Sequence, residues 1–148
     1  MNVFKSLYCN QYAELAPQGK GAAARANGTG LLTVALLANI AVPIVLVLLL
    51  SEDVADAAQD IIEDMFGRRN GRGAGRFIGF AAIVPLYFGV KFTIGTESSF
   101  NATIKEYNNL PEDEQKAVSK KGLRYFLYSL GLIVPFILYA VIMAFGSL

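Results

Sequence analysis

The sequence predicts an all-α membrane protein with three transmembrane helices, each with a central proline, plus an interfacial acidic helix and a cytoplasmic helical hairpin. Two observations carry this prediction. Of the 148 residues, 54% are hydrophobic and only 17% are charged, whereas an average soluble domain has about 25% charged residues. In addition, residues 31–50 form a run of twenty residues without a charge, about the length that a helix needs to cross the hydrocarbon layer.

The residue inventory excludes several kinds of chemistry. The chain has no His and one Cys, and its formal net charge is +1. Without His, imidazole-based acid and base catalysis, Ser-His triads and imidazole metal ligands are excluded. One Cys excludes an internal disulfide and a thiolate cluster, and the near-neutral charge argues against nucleic acid as a partner. We therefore expect a protein that is not an enzyme and has no cofactor, no metal site and no catalytic residues.

Residues 1–30 are predicted to be an interfacial N-terminal arm and a linker. The first residues lack the apolar core of a signal peptide. Their large apolar side chains recur at the spacing of one helix face, at Val3, Phe4, Leu7, Tyr8 and Tyr12, which predicts a short helix on the membrane surface. Residues 19–30 are rich in Ala and Gly, a composition typical of a linker.

Residues 31–50 are predicted to form transmembrane helix 1. Its only polar residues are Thr33 and Asn39. An unpaired carboxamide in hydrocarbon is costly, so we expect Asn39 to face protein and to bond another span or a partner subunit. The alternative is that Asn39 belongs to a polar pathway through the membrane.

Residues 51–75 are predicted to form an amphipathic acidic helix and a Gly/Arg connector. Ser51 followed by acids is a typical helix start, and Gly67 begins the flexible basic run that ends at Arg76. One face of the helix is acidic, and it consists of Asp53, Asp56, Asp60 and Asp64. We interpret this face as solvated or as a docking surface for a basic partner, because a single helix cannot wrap enough oxygen ligands around a calcium ion.

Residues 76–97 are predicted to form transmembrane helix 2. The uncharged part is short, so the span must continue past Lys91, whose amine would reach the headgroups along its alkyl stem. The alternative is a functional cation inside the membrane. Gly75 and Gly79 lie four residues apart at the entry, a spacing that lets a second helix approach closely.

Residues 98–122 are predicted to form a cytoplasmic helical hairpin, with a turn at residues 108–110 and Pro111 at the first position of the second helix. Residues 123–148 are predicted to form transmembrane helix 3. We expect lipid-interface anchors on spans two and three, at Lys91, Arg124, Tyr125 and Tyr128.

Each predicted span contains a proline with similar neighbours, at Pro43, Pro85 and Pro135. A proline removes one helix hydrogen bond and bends the helix. The repetition is compatible with helix packing, since proline is common in membrane helices. The other interpretation is a ring of kinks around an ion or substrate site.

The Lys and Arg distribution predicts the orientation. Eight such residues lie in the N-terminal arm and the hairpin, against four in the connection between spans one and two. This bias predicts a cytoplasmic N-terminus and a C-terminus on the far side of the membrane, which in a bacterial inner membrane is the periplasm.

The two ends of the chain carry a family resemblance. The opening run NVFKSLYCNQY at residues 2–12, the run YNNL at 107–110 and the run GLRYFLYS at 122–129 resemble small uncharacterised three-span inner-membrane proteins of Bacteroidetes-type bacteria. The acidic helix and its Gly/Arg connector depart from the short link expected in that family. The resemblance implies no catalytic residue.

Together these features predict an accessory or structural subunit of a larger inner-membrane complex, which acts through helix packing and surface docking. Its expected partners are other integral membrane subunits and lipid. The alternative is a small transporter or channel subunit that forms a homo-oligomer around the proline-kinked helices.

Overall fold

A computed structural model describes residues 1–67 and 71–145 of the chain. Within these ranges the fold is all-helical, as the sequence predicts, and contains no strand. The α-helices are α1 (Val3–Leu15), α2 (Ala24–Leu50), α3 (Glu52–Phe66), α4 (Gly71–Thr93), α5 (Glu97–Asn108), α6 (Glu112–Gly131) and α7 (Val134–Phe145).

Helix α1 is central to the packing, which corrects the prediction of an interfacial arm. Asn2 caps the helix, and its side-chain oxygen accepts a hydrogen bond from the Lys5 backbone N–H at 2.9 Å. Residues 6–11 are all buried, so every face of the helix is covered there. The covering elements are α2, α5 and α6.

The prediction of a linker at residues 19–30 is wrong, because most of these residues are helical. After α1, two short 3₁₀ turns, Ala16–Gln18 and Gly21–Ala23, are separated by Gly19 with a φ of 71°. Helix α2 then begins at Ala24 and continues to Leu50 with Pro43 inside it. Ala24 and Gly28 are buried in this stretch, and Gly28 lies directly against the Tyr8 ring.

Helix α3 follows α2 directly, with Ser51 as its N-cap residue. Acids occupy its first turn as predicted, at Glu52 and Asp53, whereas the Ser51 side chain makes no capping hydrogen bond. The helix ends at Gly67, whose φ of 76° suits glycine. Of the predicted connector, Arg68, Arg69 and Asn70 lie outside the described residues, and α4 already begins at Gly71.

Helices α4 and α5 meet at a bend of 60°. The Thr96 hydroxyl caps α5 and accepts a hydrogen bond from the Ser99 backbone N–H at 3.2 Å. The bend separates α5, the first helix of the predicted hairpin, from α4. It turns Phe100 and Ile104 into the core beside Tyr8.

Helix α6 corrects the boundary predicted between the hairpin and span three. It runs without interruption through Gly122 to Gly131, and Pro111 is its N-cap rather than its first helical residue. The helix is instead interrupted by a turn at residues 132–133. Pro135 lies in the first turn of α7 rather than at the centre of a span. A proline cannot bond to the carbonyl four residues back, which here is Gly131, the last residue of α6.

Within the described ranges, one continuous helical stretch is long and apolar enough to cross a membrane, Gly21–Leu50. A second candidate exists only if the bent pair Phe77–Thr93 and Glu97–Asn108 counts as one span. Three transmembrane helices therefore remain a prediction. Residues 146–148 of the third predicted span lie outside the described part.

The chain presents two contrasting regions. We call the first the helical head: it consists of α1, residues 24–39 of α2, α5 and residues 112–129 of α6, and it contains most of the buried core. We call the second the apolar surface. It consists of large exposed apolar side chains on the remainder of α2, on α4 and on residues 132–142, including Ile44, Val47, Phe80, Leu132 and Ile142.

Candidate functional site

Two glycines allow α1 to pack closely against α2 and α6 within the head. A Cβ atom on Gly122 would lie 2.3 Å from the Ser6 carbonyl oxygen, and one on Gly28 would lie 2.6 Å from the Tyr8 ring. Real side chains do not tolerate such distances, so α1 can pack this closely only against glycine. A glycine inside an otherwise helical pattern was the available signal.

Asn39 joins α2 to α6. Its side-chain amide donates to the Tyr125 hydroxyl at 3.0 Å and to the Ser129 hydroxyl at 3.2 Å. Ser129 is buried and in turn donates to the Tyr125 backbone carbonyl at 3.0 Å. The Tyr125 ring packs edge-on against Phe4, with the ring centroids 5.8 Å apart. Tyr125, predicted as a lipid-interface anchor, is thus a packing residue that connects α1, α2 and α6.

The polar face of α1 is buried and paired. The Tyr8 and Thr29 hydroxyls share a hydrogen bond of 3.0 Å, and the Asn10 amide donates to the Ser119 hydroxyl at 3.1 Å. Across the described residues, no buried side-chain nitrogen or oxygen lacks a hydrogen-bond partner. A fully paired polar core fixes the register of its helices, because any other register leaves groups unpaired.

The head holds the chain's single thiol in an unreactive state. Cys9 is fully buried, and burial raises the pKa of its thiol to about 12, with a further contribution from the Glu106 carboxylate. Burial also raises the pKa of the Tyr8 hydroxyl. Since a thiolate is the reactive form, Cys9 is suited to packing and unsuited to nucleophilic chemistry.

Lys91 lies near the end of α4, where the apolar surface meets the head. Its amine is 5.8 Å from the centroid of the Phe88 ring and 5.9 Å from that of Phe92. Lys91 and Arg25 also line a cavity of about 170 Å³ that reaches Thr29. The cation therefore sits among aromatic rings.

Arg124 and Tyr128, the remaining predicted anchors, are exposed on α6. Tyr128 is 73% exposed, and both residues line a second cavity at the start of α1. An exposed tyrosine ring beside a cation is typical of the boundary between water and lipid.

The four aspartates of the predicted acidic face, Asp53, Asp56, Asp60 and Asp64, are all exposed on α3. Helix α3 has no buried residue. Within the described ranges no three His, Cys, Asp or Glu residues come close enough to hold a metal ion. The face is accessible to solvent or to a partner.

The predicted packing prolines and glycines are scattered over the apolar surface. Pro43, Pro85 and Pro135 are all exposed and lie on different helices. A Cβ atom on Gly79 would meet no atom within 4 Å. Gly75 lies in α4, but its surroundings fall outside the described residues. The structure does not bring these positions together, so a shared polar path remains a prediction that would need further copies of the chain.

Comparison with known proteins gives no relative. No protein family, curated protein or solved structure matches the chain. The resemblance to three-span inner-membrane proteins stays a prediction.

Proposed function

We propose that this chain is an accessory or structural subunit of a larger bacterial inner-membrane complex. The single observation that carries the proposal is the contrast between a head whose buried polar side chains are all paired and an apolar surface that the described residues leave uncovered. Monomeric soluble proteins rarely expose large contiguous apolar patches. The apolar surface therefore needs lipid or other membrane helices as its surroundings.

The arrangement of α4 and α7 favours protein partners in addition to lipid. Helix α7 packs mainly on the end of α6, and α4 packs mainly on α2 and α3. Helix α4 exposes apolar side chains along most of its described length, for example Phe80 at 69%, and the described side chains of α7 include the exposed Ile142 at 66%. Helices with few neighbours in their own chain are available for association with further helices.

The distribution of charge supports the predicted orientation. Lys5, Lys20, Arg25 and Lys105 belong to the head or to the turns that join it, whereas α3 lies at the other end of α2. Helix α2 has 27 residues, which correspond to a length of about 40 Å, enough to separate the two ends by a bilayer. We therefore place the start of α2, with the turns that precede it, in the cytoplasm and α3 in the periplasm.

The test is to extract the tagged chain, expressed at its native level, into polymer discs that retain native lipid. We expect particles that contain one or more other membrane proteins in fixed stoichiometry with the 16.0 kDa chain. Discs that contain a single copy and lipid alone would refute the proposal. Discs that contain only several copies of the chain would favour the homo-oligomeric channel.

Site-specific cross-linking distinguishes assembly from contamination. A photoreactive residue replaces Phe80 on the apolar surface, and in a matched control it replaces Glu114, which is exposed on the head. We expect the co-purifying protein to cross-link at position 80 and not at position 114. Equal cross-linking at both positions would indicate random collision in the membrane.

The acidic face of α3 is tested with charge-matched variants. We expect Asp56→Asn with Asp60→Asn to weaken retention of a basic partner, because an electrostatic contact needs these charges. The control is Asp113→Asn with Glu114→Gln, which removes the same charge from α6. Unchanged retention in the α3 variant would restrict the interface to the apolar surface.

A further inference from the structure

A basic cavity opens between the start of α1 and the middle of α6. Its volume is about 500 Å³, which lies within the range of roughly 300–1,000 Å³ typical of ligand pockets. The cations Lys120, Lys121 and Arg124 line it, together with Val3 and Tyr128. Tyr125 also lines it, so the cavity adjoins the contact in which the Tyr125 hydroxyl accepts from the Asn39 amide.

The charges of this cavity are not neutralised by the protein. The described residues that line it include no Asp or Glu, and in the described part of the chain none of the three cations forms an ion pair. Lys121 donates to the Met1 carbonyl oxygen at 3.1 Å, so its amine is held at the start of α1. Lys120 and Arg124 are four residues apart on one helix, where like charges repel. A bound anion would relieve this repulsion.

The surroundings of the cavity change from polar to apolar along α6. Lys120 and Lys121 lie on the side of the charged first turns of the helix, and Tyr128 lies at the opposite side of the cavity with 73% of its surface exposed. Leu127, next to Tyr128, and Leu132, beyond it, are also exposed, at 54% and 50%. A phospholipid presents the same order, with a charged phosphate followed by acyl chains.

We propose that this cavity binds the phosphodiester headgroup of an anionic phospholipid, whose acyl chains lie along the exposed apolar residues at the end of α6. Lys120, Lys121 and Arg124 contact the phosphate, and Tyr128 lies at the boundary with the hydrocarbon. Inorganic phosphate shares the charge but has nothing to place on Leu127 and Leu132. The inference rests on residence in a membrane and does not require the accessory role.

The first experiment needs no variant. The full-length protein in mild detergent is incubated separately with phosphatidylglycerol, phosphatidylcholine or inorganic phosphate, and retained ligand is counted by native mass spectrometry. We expect retention of phosphatidylglycerol to exceed that of phosphatidylcholine by about tenfold or more, since each basic residue near an anionic lipid contributes to attraction. Inorganic phosphate should not displace the lipid.

The second experiment locates the site. Lys120→Gln, Lys121→Gln and Arg124→Gln are combined, and the matched control combines Lys20→Gln, Lys105→Gln and Lys116→Gln, which removes the same charge from exposed positions elsewhere on the head. We expect the first variant to lose the preference for phosphatidylglycerol and the control to keep it.

Several results would overturn the proposal. Equal retention of the two lipids by the unaltered protein would do so even if a variant failed to fold. Displacement of phosphatidylglycerol by inorganic phosphate would indicate a free-phosphate site instead. An equal loss in both variants would show that only the overall charge of the head matters.

Discussion

The close approach of α1 to Gly122 leads to a quantitative prediction for Gly122→Ala. The added Cβ would lie 2.3 Å from the Ser6 carbonyl oxygen and 2.6 Å from the Leu7 backbone nitrogen. Both atoms belong to the backbone of a buried helix, so a change of side-chain rotamer cannot move them away. Ordinary contact requires α1 and α6 to separate by about 1 Å.

The expected cost follows from two opposing effects. Overpacking a close-packed core costs about 1–3 kcal/mol or more. Alanine returns up to about 1 kcal/mol, because it has a higher helix propensity than glycine. Since the obstacle is backbone, we expect a net loss of about 2 kcal/mol in the free energy of unfolding. For a chain of this length, that loss lowers the melting temperature by about 4–8 °C.

Thermal unfolding in mild detergent, followed by circular dichroism, measures this shift. Gly30→Ala is the matched control, because a Cβ atom on Gly30 would meet no atom within 4 Å. We expect the control to melt at the same temperature as the unaltered protein or slightly above it. If Gly122→Ala melted as high as Gly30→Ala, the packing of α1 against α6 described above would be incorrect.

Three further predictions concern the same head. Asn39→Leu removes the amide that donates to Tyr125 and Ser129 and should lower the free energy of unfolding by about 1–2 kcal/mol. A double-mutant cycle with Tyr125→Phe should give a non-zero coupling energy, and additive effects of the two substitutions would contradict the contact. Gly95→Ala places a Cβ atom 2.7 Å from the Thr29 hydroxyl and should lower the melting temperature, whereas adding Thr29→Ala should restore part of the loss; no restoration would contradict the geometry. Cys9 should resist alkylation in the folded protein and react after denaturation, because its thiol is buried with a raised pKa. Because the pKa of the Cys9 thiol is raised, the folded protein keeps this proton at pH values where the unfolded chain has lost it. The free energy of unfolding should therefore fall as the pH rises from the ordinary thiol pKa towards about 12, and it should fall less in Cys9→Ala. Identical profiles of stability against pH for the two proteins would contradict this.

The sequence was sufficient for helices whose signals are local. The acids at Glu52 and Asp53 indicated the start of α3, and Gly67 indicated its end, because capping and charge preferences depend on the neighbouring residues alone. Pro111 similarly indicated the start of α6 to within one residue. The apolar run in α2 needed only its length and composition.

Tertiary contacts were beyond the reach of these patterns. The apolar stripe of α1 fits a surface helix, but Ser6, Asn10 and Gln11 on its other faces are buried too. The partners that make this burial possible, such as Ser119, are more than a hundred residues away in the chain. No local spacing rule contains that information.

The glycines show the same limit at the candidate site. The predicted hairpin ends at Gly122, and glycine weakens an isolated helix. In the structure Gly122 is an uninterrupted part of α6, and the missing side chain is what α1 packs against. Gly79 shows the opposite difference. Its spacing of four residues from Gly75 predicted a close helix contact, but a Cβ atom on Gly79 would meet no described atom within 4 Å.

The placement of the apolar surface in a membrane, with the start of α2 and α3 on opposite sides, is tested most directly by labelling introduced cysteines in intact and opened cells. In a Cys9→Ser background, Lys116→Cys reports on the head, Gln59→Cys on α3 and Ile83→Cys on the apolar surface, and all three positions are exposed. We expect a membrane-impermeant thiol reagent to label position 59 in intact cells, position 116 only after the cells are opened, and position 83 in neither state. Labelling of position 83 as fast as position 116 would contradict the account.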